Sequence, residues 1–170
     1  TIAKMKEKIL EEYTIIADNV PANIRIFQKK DENVPFYEIK MKKIGEATEA
    51  LLEGIMDELS QKIPIEIDEN TNSEKKEKLK ENFFLECKNF LRVKLTNISD
   101  DEINVLAGII LHRMIGLDFI DVLMTDNNLE EVAINGVKHP IALYHKKYGW
   151  CKSTKKFESE QQIINLASQI

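Results

Sequence analysis

INGVKHPIALYHKKYGWCKS, residues 134–153, lies where the period of the chain changes. From Leu129 the apolar positions recur at every second residue. Val132 and Ile134 share one face, Asn135-Gly136 is a hairpin-turn signal, and Ile141 and Leu143 resume on a returning strand. Tyr148-Gly149 marks a second turn, and WCKSTKKF (150–157) reads as a third strand. The segment therefore predicts a small antiparallel meander. It also poses a question of charge. Six lysines (138, 146, 147, 152, 155 and 156) fall between Val132 and Phe157 without one Asp or Glu, in a chain whose formal net charge is −5.

Working outward, Ser159 followed by Gln162 has the spacing of a capping box and opens a last helix, in which Ile163, Ile164, Ala167 and Ile170 form an apolar stripe. That stripe stops without a Gly or Asn cap, and residue 1 is not a methionine, so a longer polypeptide is expected. Before the meander, NISDDEINVLAGIILHRMIGLD (97–118) carries the strongest local helix signal. Ser99 and Glu102 again have capping-box spacing, Ile103, Leu106, Ala107, Ile110 and Met114 make the buried stripe, and Gly116 is the expected stop. A short apolar segment, 117–124, follows.

Nearer the start, Ile2, Met5, Ile9, Tyr13 and Ile16 recur at steps of three and four, which predicts an amphipathic helix over 2–16. ANIRIFQ (22–28) and PFYEIKM (35–41) alternate as strands around the polar KKDEN (29–33), and 46–62 repeats Ala47, Leu51, Ile55 and Leu59 as a covering helix. Residues 66–82 are charged and rich in turn formers at their start. They read as a surface loop (about 66–78) running into a helix striped by Leu79, Phe83, Cys87 and Phe90. The expected fold class is α+β, with two subdomains, 1–98 and 99–170, each packing helices on a short antiparallel sheet.

Composition narrows the function. With 170 residues and 43% hydrophobic content the chain can bury a core. The excess of 29 acidic over 24 basic residues argues against a general nucleic-acid binder. The longest apolar run, 105–111, is far short of the roughly 20 residues of a membrane helix, and no secretory signal pattern opens the chain. Cys87 and Cys151 do not form a CxxC pair, so a reducing cytosol is the expected compartment, with Cys87 a small buried hydrophobe.

Catalytic motifs are sparse. His112, His139 and His145 lack metal-site spacing, and Asp100, Asp101 and Glu102 are the acids that a helix dipole favours at its first turn. Glu130 and Glu131 have no partner acid or base with which to form a hydrolytic dyad. The six glycines are dispersed, and no P-loop is present, so this segment alone should not hydrolyse a nucleotide. The lysines, interleaved with Tyr144, Tyr148 and Trp150, have two readings. They hold a phosphorylated ligand or a partner's acidic surface, or they guard a solvated sheet against edge-to-edge pairing.

The order GLDFIDVLMTDNNLEEVAINGVKHPIALYHKKYGW, followed by KKFESEQQIINLASQI, resembles the N-terminal region of type II/IV secretion ATPases, especially the archaeal branch that powers pili, secretion and the archaellum. Asp126, Glu130, Glu131, Val132, Asn135, Gly136, Pro140, Tyr144, His145, Tyr148, Gly149 and Trp150 stand in the places of that family's motif. The resemblance covers 117–170.

It implies the N-terminal regulatory and assembly domain of a cytoplasmic homo-hexamer, peripheral at the inner face of the cell membrane. Its partners would be its own C-terminal RecA-like ATPase domain and a polytopic platform protein, with no nucleic acid. ATP and Mg would bind in the full-length protein and not to this segment alone. His145, Lys146 and Lys147 are then the candidate nucleotide- or interface-facing residues, with lysine offering charge without the bidentate fork of arginine. The alternative is a free-standing interaction module that binds an acidic partner through the basic meander.

Overall fold

The computed structural model describes residues 7–62, 73–115 and 119–169. The element order is β1 (Lys8–Ala17), β2 (Val20–Gln28), β3 (Phe36–Met41), α1 (Glu46–Lys62), α2 (Ser73–Lys94), α3 (Asp100–Met114), α4 (Phe119–Thr125), β4 (Leu129–Ala133), β5 (Ala142–His145), β6 (Gly149–Ser153) and α5 (Glu160–Gln169). The class is α+β.

The chain forms two compact units, each discontinuous in sequence. One comprises Thr1–Ile16, Pro21–Lys42 and Val122–Ser168, and the other Ala17–Val20, Lys43–Asp121 and Gln169–Ile170. Each draws on both sides of the 98/99 division expected from the sequence.

The first unit explains why. Its strands make one six-stranded sheet in the order β1-β2-β3-β6-β5-β4, where two short sheets were expected. The β2–β3 hairpin pairs Phe27 with Phe36 and Ala22 with Met41. The β4–β5–β6 meander pairs Val132 with Leu143 and Tyr144 with Trp150. The two join because the free edge of β3 takes β6 in parallel, Phe36 opposite Lys152. Lys152 N donates to Pro35 O (2.8 Å) and Thr154 N to Tyr37 O (2.9 Å) across the seam. Unpaired backbone groups on two sheet edges are thereby satisfied.

One face of the sheet is apolar: Ile24, Ile26, Ile39, Leu143 and Cys151 are buried, and Phe157 and Leu166 of the same unit are buried with them. The other face carries Arg25, held by Glu7 and Glu38, and an exposed Trp150.

The helix expected at 2–16 is instead strand β1 over its described part; Ile2 and Met5 lie outside the described residues. Burial alternates at two, with Glu11, Tyr13, Ile15 and Ala17 less exposed than Glu12, Thr14 and Ile16. The β-branched and aromatic run Tyr13–Ile16 favours this state. So does the two-residue turn Asp18-Asn19, whose φ values of 47° and 68° suit a tight hairpin.

Asn135-Gly136 does not close a two-residue hairpin either. β4 ends at Ala133 and β5 begins at Ala142, so Gly136, at φ 91°, shapes a longer connection. Gly149 takes φ 66° at the β5–β6 turn.

In the second unit α1, α2 and α3 bury one cluster, in which Leu52, Ile55, Phe83, Leu91, Ile103 and Ile110 take part. Each such side chain contributes about 1.5–3 kcal/mol by leaving water. The capping box at the start of α3 is complete: Glu102 N donates to Ser99 Oγ (3.3 Å) and Ser99 N to Glu102 Oε2 (3.1 Å). Gly116 and residues 66–72 of the loop expected over about 66–78 lie outside the described residues, whereas 73–78 are not loop but the first turns of α2. Among the described residues no single helix is long and apolar enough to cross a membrane.

Both cysteines are buried in this framework. Burial pushes the Cys87 thiol up to about 12 and the Cys151 thiol up to about 11. Because the thiolate is the reacting form, alkylation of the native protein at neutral pH should be at least about a hundredfold slower than in denaturant, as followed by mass spectrometry.

Candidate functional site

The residues singled out by sequence meet at the β5–β6 turn, and the turn separates them. His145 ends β5 on the inner face of the sheet and is 2% exposed, whereas Lys146 and Lys147 project from the turn into solvent. Lys146 Nζ donates to the carbonyl of Asn127. Lys147 Nζ lies 3.2 Å from Glu11 Oε2 and 5.2 Å from the centre of the Tyr148 ring. Tyr148 OH donates to Leu10 O at 3.2 Å.

These contacts answer the question of charge. The acids missing from the meander are supplied by distant strands and loops: Glu11 of β1 meets Lys147, and Glu32 of the β2–β3 loop meets Lys152 at 2.7 Å. Hydrogen bonds from Tyr148 and Lys147 hold the Glu11 carboxyl below its usual range, and Lys152 does the same for Glu32. The sheet also curls: β1, first in the strand order, is reached by the turn between β5 and β6. Tyr148 thus occupies a carbonyl on β1, an edge strand.

Beneath the turn is a polar cluster built on Asp126, which is 3% exposed. Tyr13 OH and Tyr37 OH donate to its Oδ2 at 2.6 and 2.5 Å, and Asn128 N donates to Oδ1 at 2.9 Å. His145 completes the network. Its Nδ1 accepts from Lys147 N (3.1 Å), so the proton of the neutral ring sits on Nε2, 3.4 Å from Tyr13 OH. Burial, with the Asp126 carboxylate beside them, raises both tyrosines far above the usual phenol value, so neither is a base at neutral pH. The cluster ties β1, β3 and the α4–β4 turn through one carboxylate, and β5 joins it through the Tyr13 hydroxyl. Its chemistry is that of a satisfied buried network, which specifies a unique packing.

Burial also lowers the His145 value from its ordinary 6.5, outweighing the pull of Asp126 and Glu11 and aided by Lys147. The unfolded chain therefore takes up a proton first. Stability falls as pH drops from about 6.5 towards the lower folded value, because there the unfolded state binds more protons. Urea midpoints of the wild type should decline between pH 7.5 and pH 5.5, and those of His145→Gln should decline less.

Elsewhere, His139 is exposed, and His112 is 3% exposed with its Nε2 2.8 Å from Asp18 Oδ2. That hydrogen bond holds the Asp18 carboxyl down. Asp100, Asp101 and Glu102 occupy the first turn of α3. Among the described residues no three His, Cys, Asp or Glu side chains assemble into a group that could hold a metal ion. Among the described residues the glycines at positive φ are 136 and 149, and both shape strand connections. What the β5–β6 turn offers an anion is the charge of Lys146 and Lys147.

Sequence reasoning missed Tyr13 and Tyr37 as partners of Asp126. The available signal was Asp126-Asn127-Asn128, a run whose first side chain bonds the backbone two residues on, as an Asx turn does.

No family model matches the chain. Over 82 residues, 44% of this chain, it is 33% identical to an uncharacterised protein of Methanocaldococcus jannaschii, of which the matched stretch is 32%. The chain thus spans about a third of that curated relative, and the likeness carries no activity with it.

Proposed function

We propose that this chain is the N-terminal regulatory and assembly domain of a hexameric secretion-type ATPase, peripheral at the inner face of the membrane. It would work with a RecA-like domain of the same full-length polypeptide, which holds ATP and Mg, and with a platform membrane protein. The observation that carries the reading is how the residues of the resemblance are used. Asp126, His145, Tyr148 and Gly149, spread over 24 positions, gather at one end of the meander, where Asp126 and His145 join the buried network, Gly149 makes the turn and Tyr148 binds the edge strand. A motif of this kind specifies a fold unit that presents two lysines on an exposed turn.

Lys147 is exposed despite its pairing with Glu11. An exposed ion pair contributes only about 0–1 kcal/mol, so the lysine can exchange Glu11 for a phosphate or an acidic neighbour. Sedimentation of the full-length polypeptide with Mg-ATP tests the reading. A six-subunit particle is expected; a monomer with and without nucleotide would sink it.

A second reading, a free-standing module for an acidic partner, is favoured by the exposure of Lys138, Lys155 and Lys156. It predicts no ATP dependence of any kind.

A further inference from the structure

The lysines of the meander divide between the two ends of the sheet. Lys146 and Lys147 lie at the β5–β6 turn and are bonded there. The opposite end has a different character. β3 and β6 run parallel, so both leave the sheet at the same end, β3 towards Lys40 and Lys42 and β6 towards Lys155 and Lys156. β5 pairs antiparallel with β6, and Ser153 N donates to Ile141 O, so the connection carrying Lys138 arrives at that end too.

Lys42, Lys138, Lys155 and Lys156 are exposed there. Among the described residues of the first unit no carboxylate lies within ion-pair distance of these four, while the neighbouring Lys40 is shared with Glu38 at 3.3 Å. Local charge of one sign, unneutralised, is the footprint of an anionic partner.

The second unit carries the complementary charge. By sequence the first unit holds 14 Lys and Arg against 11 Asp and Glu, and the second holds 10 against 18. In the second unit, α1 buries Leu52, Ile55 and Leu59 on one side. Glu46, Glu53 and Asp57, at helical spacing, are exposed on the other. Each copy therefore offers both halves of an ionic contact.

We infer that the basic sheet end of one copy binds the acidic outer face of α1 of a second copy, so that the chain associates with itself through complementary charge. This inference concerns the 170-residue chain alone and does not rest on the ATPase reading. Nucleic acid fits the same patch less well. The chain's net charge of −5 opposes a polyphosphate, and the exposed ring of Trp150 lies on the strand face and not among these lysines.

Sedimentation velocity of the chain at about 0.05 and about 0.5 M salt is the test, since a contact of exposed charges is screened across that range. Self-association at low salt, reversed at high salt, is expected. Lys155→Glu/Lys156→Glu and, separately, Glu53→Lys/Asp57→Lys should each weaken it at least about tenfold, a change of about 1.4 kcal/mol. An equimolar mixture of the two variants should restore it, because the mixture contains matched surfaces again. Circular dichroism should leave both variants folded. A wild type monomeric at low salt overturns the inference, as does a mixture that fails to associate. Binding of an oligonucleotide or of anionic vesicles without self-association also overturns it, in favour of that other polyanion.

Discussion

Replacing Gly108 by alanine should destabilise the protein by about 3 kcal/mol, although alanine is the better helix former by about 1 kcal/mol. Gly108 lies within α3, where the helix passes the Asp18–Val20 segment of the same unit. A Cβ there would stand 2.1 Å from the Asp18 carbonyl oxygen and 2.7 Å from Val20 Cγ2. The first obstacle is backbone, in a turn already committed to left-handed conformations at Asp18 and Asn19. No rotamer change relieves it, so either the helix or the turn must move, and with it the Asp18 carboxylate that meets His112.

Gly54 of α1 supplies the control. Nothing lies within 4 Å of its Cβ position, so Gly54→Ala should gain up to about 1 kcal/mol from propensity and reduced unfolded-state entropy. Urea denaturation of the two variants should therefore move the midpoint in opposite directions. A neutral or stabilising Gly108→Ala would mean that α3 does not approach the hairpin turn this closely.

Asp126→Ala carries the second large effect. The substitution removes the shared acceptor of Tyr13 OH and Tyr37 OH and the partner of Asn128 N. Tyr37 is fully buried, so its hydroxyl finds no water in exchange. A buried donor left without an acceptor costs about 1–3 kcal/mol, and with two hydroxyls stranded a loss of about 4 kcal/mol is expected. Tyr37→Phe removes donor and hydroxyl together and should cost only about 1 kcal/mol. The same denaturation experiment checks both. An Asp126→Ala variant no weaker than Tyr37→Phe would show that the carboxylate does not join the strands.

These two sites also mark how much was legible in the chain. The elements written in local code were readable: the capping box of Ser99 and Glu102, the β2–β3 hairpin, α1, and the three strands after Leu129. The first strand was not. Ile9, Tyr13 and Ile16 fall by chance at helical steps, and Glu11 on the inner side spoils the alternation of two. Its partner, Lys147, arrives from 136 positions away.

The polar network was illegible for the same reason. Tyr13 and Tyr37 reach Asp126 across 113 and 89 positions, and nothing local to either tyrosine records its partner. The joining of two hairpins into one sheet likewise depends on a parallel pairing between Phe36 and Lys152 that has no turn to announce it.

ATP turnover by the full-length polypeptide tests the functional account most directly, with wild type, Lys146→Ala/Lys147→Ala and this 170-residue chain assayed side by side in the presence of Mg. The account predicts hydrolysis by the wild type, none by the chain alone, and at least about tenfold slower turnover in the double variant with assembly retained, a change of about 1.4 kcal/mol in the barrier. No hydrolysis by the wild type would contradict the secretion-ATPase reading, and a double variant as active as wild type would return Lys146 and Lys147 to a purely structural role at the turn.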